Sequence, residues 1–423
     1  MSLPSALNLV TVGDDIHRLI LDKLPTVSSL VNTLEASAAI RRSFEPYSRS
    51  IATRVIENEL PPCIWRHAVV CQMLANGTIR TPTLDGTWEF GIESCIQKIR
   101  RVTDAASQQT VSLDDAVAMS EFGIKAMYLA VQFAGGCFRG KDHVHQPLEE
   151  SLSSTPMSAQ EAGRILQSVY LFDMLASLCK NMTMEKKRGE STTRFARRCT
   201  KRVRHIQRCI VREMMSPWEF YQVIGMQAFF RRVVHGLGCS PSYMERVMPG
   251  ILVGGVRLMH DILEKQHEPE KMHAFVGRLQ EEALGRPTNA FGLIVSRGES
   301  WTWTRTKGRS LNEYRQLGRW WDVEGWKTWK LLEDVQDRLS GSGDEVMQAV
   351  LSDNLADFEN RTDLWSVALW DSTRWGDVVR HCLGDSPPRL SHWSAADVGI
   401  GLLYNPRLAT MGREWMVRRE RAL

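Results

Sequence analysis

A mainly α-helical protein is what this sequence predicts, and three observations carry the prediction. Apolar residues recur at three- and four-residue steps through most of the first 300 positions, the spacing that gathers side chains on one face of a helix. Several of these runs open on a serine followed three residues later by an acid, and end at glycine, which is how helices start and stop. Strand-like alternation is confined to residues 291–304, where Leu293, Ile294 and Val295, an Arg297-Gly298 turn and alternating Trp301, Thr302, Trp303 and Thr304 read as one short β-hairpin.

Residues 12–46 read VGDDIHRLILDKLPTVSSLVNTLEASAAIRRSFEP. Ile16, Leu19, Ile20 and Leu24 fall on one face of a short helix. Asp14 and Asp15 open it, acids that suit the positive end of the helix dipole, and Thr11 stands at capping-box spacing from Asp14. Pro25 ends this helix. Ser28 or Ser29 can cap a second one carrying Leu30, Val31 and Leu34, and a third fits Ser37 to Phe44. Helices this short do not persist alone in water, so they must bury their apolar faces against one another or against a partner. An N-terminal cap on a larger helical domain would show the same pattern.

The segment resembles the F-box, a motif of three short helices. Asp15 with Ile16, Ile20 with Leu21, Leu24 with Pro25, Leu30 and Ser37 stand in the order that motif expects, nearest to F-box-like proteins of filamentous fungi. It departs from the motif at Val12-Gly13, where Leu-Pro is usual, at Ala38-Ala39, in place of a basic pair, and at Ile40, in place of an aromatic. The resemblance covers under a tenth of the 423 residues. It implies docking on the Skp-type adaptor of a cullin-RING ubiquitin ligase through Ile16, Ile20, Leu21, Leu24, Pro25 and Leu30. The rest of the chain would then hold an unknown client protein, with no chemistry of its own.

Tyr47 to Glu59 reads as a fourth helix, ended by Leu60-Pro61-Pro62, and Ile64 to Leu74 as a fifth, followed by a polar stretch with Gly77, Pro82 and Gly86. Three longer runs follow. Ser112 with Asp115 opens the first, which ends at Gly135-Gly136. Ser158 with Glu161 opens the second, which carries Ile165 through Leu178. Ser216, Pro217 and Glu219 open the third, which stops at Gly236. A polar loop from Arg139 to Thr155 separates the first two. Ile251 to Leu263 and Met272 to Leu284 read as further helices, and breaks fall at Ser340 to Asp344 and Asp385 to Ser394. The organisation expected is an F-box-like segment to residue 60, a helical domain over 61–300, and a region over 301–423 packed on it. Helix packing can cross the boundary at 60. Eleven of the fourteen tryptophans lie in the last region, where the adjacent Trp320 and Trp321 cannot both face one core.

With 43% apolar and 24% charged residues, the chain has the composition of a globular protein with a sizeable core. Its nine cysteines are scattered without a C-x-x-C pair, which argues for free thiols and against a disulfide framework or a zinc module. No secretory pattern opens the sequence and no apolar run reaches membrane-spanning length, so the expected location is cytosol or nucleus.

Signatures of chemistry are absent: no phosphate-binding loop, dinucleotide fingerprint, G-x-S-x-G elbow or H-E-x-x-H occurs. Asp142, His143 and His145 lack an identifiable further ligand, so no cofactor or metal is expected. The basic segment is more informative. Between Lys180 and Arg212 twelve Lys and Arg face two Glu, a local +10 within a chain of net +4. Phe195, Cys199, Val203, Ile206, Ile210 and Met214 form its apolar stripe, with Arg197, Arg198, Lys201 and Arg202 largely outside it. That face is either the solvated side of an amphipathic helix or a site for an anion, whether nucleic acid, an acidic protein or a phosphorylated client. Lys186-Lys187-Arg188 followed by Arg197-Arg198 also has the form of a two-part nuclear import signal. A nuclear helical binding protein with this basic face is the second functional expectation, and nucleic acid the less favoured partner, since no aromatic is interleaved on the charged face.

Overall fold

Helix-start chemistry fixes where the long elements begin. The computed structural model describes residues 13–80, 88–136, 157–180, 215–235 and 250–265, with a few isolated positions between and after these stretches. Among them 84% are helical and none is in a strand, so the protein is mainly α. The hairpin expected at 291–304, the tryptophan-rich 301–423, the loop with Asp142, His143 and His145, and Arg197, Lys201 and Arg202 lie outside the described residues.

Ten α-helices are described: α1 (Asp14–Asp22), α2 (Val27–Ala36), α3 (Ala38–Phe44), α4 (Ser48–Glu59), α5 (Pro62–Ala75), α6 (Trp88–Asp104), α7 (Leu113–Gly136), α8 (Ala159–Lys180), α9 (Pro217–His235) and α10 (Gly255–Lys265). Ser158 and Glu161 form a reciprocal cap on α8: the Ser158 N–H donates to Glu161 Oε2 at 2.8 Å and the Glu161 N–H to Ser158 Oγ at 3.1 Å. Ser216 and Glu219 repeat this on α9, at 2.6 and 3.3 Å. On α7, Ser112 Oγ accepts from the Asp115 N–H and donates to the Asp115 carboxylate at 2.8 Å.

Three local readings are corrected. The cap of α2 is Thr26, whose hydroxyl accepts from the Ser29 N–H, rather than Ser28 or Ser29. α6 occupies ground that the glycines and proline before it made look like an extended connection, although Ile92, Ile96, Ile99 and Val102 are buried at helical spacing along it. The helix expected over Ile251 to Leu263 is interrupted at Val253 and Gly254, and α10 starts afresh at Gly255. Gly255 has φ +70°, and a Cβ there would stand 2.4 Å from Asp173 Oδ1, the atom that accepts the Val256 N–H at 2.8 Å. Only glycine combines that backbone conformation with that close approach.

Among the described helices α8 is central, packed by α5, α7, α9 and α10. It is buried around its whole circumference, which is why it reads as apolar on all sides. Phe172 meets Phe230 of α9 edge to face at 4.6 Å between ring centroids. Glu161, Arg164, Gln167 and Ser168 are buried with it, and Gln167 Nε2 donates to Glu219 Oε1 at 2.9 Å. Packing is continuous across residue 60. Glu59 accepts from the Val27 N–H of α2 at 2.8 Å and from Ser120 Oγ of α7 at 2.6 Å, so one carboxylate ties the N-terminal helices to the rest. None of the described helices is long and apolar enough to cross a membrane.

Candidate docking face

α1 buries the wrong side for a helix that serves only its own core. At roughly 100° per residue, Ile16, Leu19 and Ile20 share one arc, while His17 and Leu21 point roughly 130° away from it. The core takes the second direction: His17 and Leu21 are buried. Ile16, Leu19 and Ile20 remain 50%, 62% and 36% exposed, so the most apolar face of the helix looks outward.

Polar ties hold it there. Ser43 Oγ of α3 donates to Asp14 Oδ1 at 2.5 Å and lies 2.9 Å from His17 Nδ1, fastening the start of α1 to α3. Asn58 Nδ2 of α4 donates to the carbonyls of Asp22 and Leu24 at 2.9 and 3.1 Å, satisfying the C-terminal end of α1, where free carbonyls collect. Rotating α1 to bury its apolar arc would break both ties. Arg18 stacks 4.5 Å above the ring of the exposed Tyr47.

The six residues expected to dock divide by position. Ile16 and Ile20 are on the open arc and Pro25 is exposed just beyond it. Leu24 is partly buried and packs against the core. Leu21 and Leu30 are fully buried and form the floor that holds the helices together, so they do not face a partner in this arrangement. Leu19 belongs with Ile16 and Ile20; its periodicity was the available signal.

Of the four expected anion-binding residues, Arg198 is described; Arg194, just before them, is also described and is exposed. The Arg198 guanidinium makes two hydrogen bonds to Glu190, Nε to Oε1 at 3.0 Å and Nη2 to Oε2 at 2.6 Å, and the Glu190 side chain is only 7% exposed. This arginine spends its charge on an internal acid. The described Cys71 and Cys95 are free thiols. Burial pushes the Cys95 thiol up to about 11 and Cys71 well above the usual range, so neither is poised as a thiolate nucleophile. A scan against protein-family models finds no match, and searches of curated proteins and of solved structures return none.

Proposed function

We propose that the N-terminal helices are an F-box-like docking module and that the chain is a substrate-recognition adaptor, binding a Skp-type subunit of a cullin-RING ubiquitin ligase. The remaining helices and the tryptophan-rich region would hold a client protein for transfer of ubiquitin by other subunits. The chain acts by proximity and carries out no reaction. The observation that carries this reading is the outward apolar arc of Ile16, Leu19 and Ile20 on a helix whose ties prevent it from turning inward. Together with the resemblance at Asp15, Ile16, Ile20, Leu24, Pro25 and Leu30, it favours adaptor docking over a purely structural cap.

Magnitudes say what else is needed. Full burial of an aliphatic side chain contributes about 1.5–3 kcal/mol, so covering the exposed parts of these three contributes roughly 2–4 kcal/mol. A micromolar complex requires about 8 kcal/mol, so Pro25, the rim of Leu24 and polar neighbours must join the interface.

Co-purification of the full chain with a purified Skp-type adaptor tests this. Ile16→Asp combined with Leu19→Asp is expected to keep the melting temperature, because both side chains are at least half exposed, and to abolish recovery of the adaptor, because two charges would be buried at the contact. A folded wild-type chain that recovers no adaptor would sink the proposal.

A further inference from the structure

Away from the docking face, α10 gathers three metal-ligating side chains around a buried nitrogen. His260 and Glu264 stand one turn apart, on one face of the helix, and Asp261 swings in beside them. Their ligand atoms all lie within 4.8 Å of one another. His260 is only 8% exposed, held with its ring edge-to-face against Tyr128 of α7 at 5.0 Å. Its Nδ1 is buried without a hydrogen-bond partner. That nitrogen faces Asp261 Oδ1 at 3.6 Å and Glu264 Oε2 at 3.5 Å.

Those separations are long for hydrogen bonds. They lie slightly beyond the edge of a coordination tetrahedron, which with metal–nitrogen and metal–oxygen bonds of about 2.0–2.1 Å is about 3.3–3.4 Å, so a small adjustment of the two exposed carboxylates would bring them to it. A buried ring nitrogen left unsatisfied is costly unless something takes its lone pair, and a cation would do so while neutralising the two carboxylates. Lys125 Nζ, 3.7 Å from Asp261 Oδ1, is the cation now beside them. It is a third exposed and can withdraw into solvent.

We propose that His260, Asp261 and Glu264 form a three-ligand site for a divalent transition metal of the zinc type. An imidazole nitrogen with two carboxylate oxygens selects zinc, cobalt, nickel or copper over magnesium and calcium, which prefer all-oxygen shells. Asp261 and Glu264 are 38% and 57% exposed, so remaining coordination positions open to water. The site is independent of the docking face.

The test uses the full chain after treatment with a chelator, titrated with cobalt(II) and followed by its visible absorption. Glu264→Gln and Asp261→Asn are the variants, since both side chains are more than a third exposed and their amides preserve shape. His260 is left in place because removing it opens a hole in the core. One cobalt per chain is expected to bind and to be displaced by zinc, and each variant should weaken binding at least tenfold, the low end of what even an outer-shell change costs a metal site. No saturable cobalt binding by the wild type, or equal affinity in wild type and both variants, would overturn the proposal.

Discussion

Asp115 shows how a single side chain combines what sequence displays with what only folding supplies. Its bond to Ser112 follows from neighbouring positions, but Gln72 Nε2 and Asn76 Nδ2 at the end of α5 also donate to it, at 2.8 and 3.2 Å, from about forty residues away. Partial burial pushes its carboxyl up, yet the hydrogen bonds from Gln72, Ser112 and Asn76 outweigh this and hold it below the usual range. A depressed folded value means that the unfolded chain binds the proton more readily. The contribution to stability is therefore complete above the unfolded value of about 3.9 and is lost as pH falls through the lower folded one. Asp115→Ala is expected to lower the melting temperature at neutral pH, and the gap from wild type should narrow below about pH 4. Melting curves across acid pH check this; a gap that stays constant into strong acid would show that the charge contributes nothing.

Among the helices, the starts of α7, α8 and α9 were legible because a capping box is written in four consecutive residues. α6 is less legible for the opposite reason: Gly77, Pro82 and Gly86 dominate the stretch before it, and no capping box precedes its four buried aliphatics. The break before α10 depends on Asp173, far off in sequence. Periodicity also located the apolar arc of α1 but could not tell whether it met the chain's own core or open solvent; that was decided by Asn58 and Ser43. The basic segment raised the same question, answered at Arg198 by its pairing with the nearly buried Glu190. Arg198→Gln removes two charge-assisted bonds from that carboxylate, and breaking a fully buried pair costs about 3–5 kcal/mol, less here because Arg198 retains some exposure. A lower melting temperature with unchanged retention on heparin is expected. Unchanged melting with weaker retention would restore this arginine to an anion-binding face.

One continuous core runs from Leu21 in α1 to Leu263 in α10, so the N-terminal helices are built into the same body as the later ones, the body that under the proposed function would hold a client. That continuity was open in the sequence, where Leu60-Pro61-Pro62 looked like a boundary, because a proline pair marks where a helix ends and not whether its neighbours pack together. Under the proposed function, a client held by the later helices and an adaptor held by α1 would be carried on one packed core. The claim on which this rests is that the outward arc of α1 receives the adaptor. Hydrogen–deuterium exchange of the full chain, with and without a purified Skp-type adaptor, measures it directly. Slower exchange concentrated in peptides spanning residues 13–25, which contain the arc and Pro25, is the result predicted. Adaptor binding that protects other helices and leaves 13–25 unchanged, or no protection anywhere in a folded chain, would contradict it.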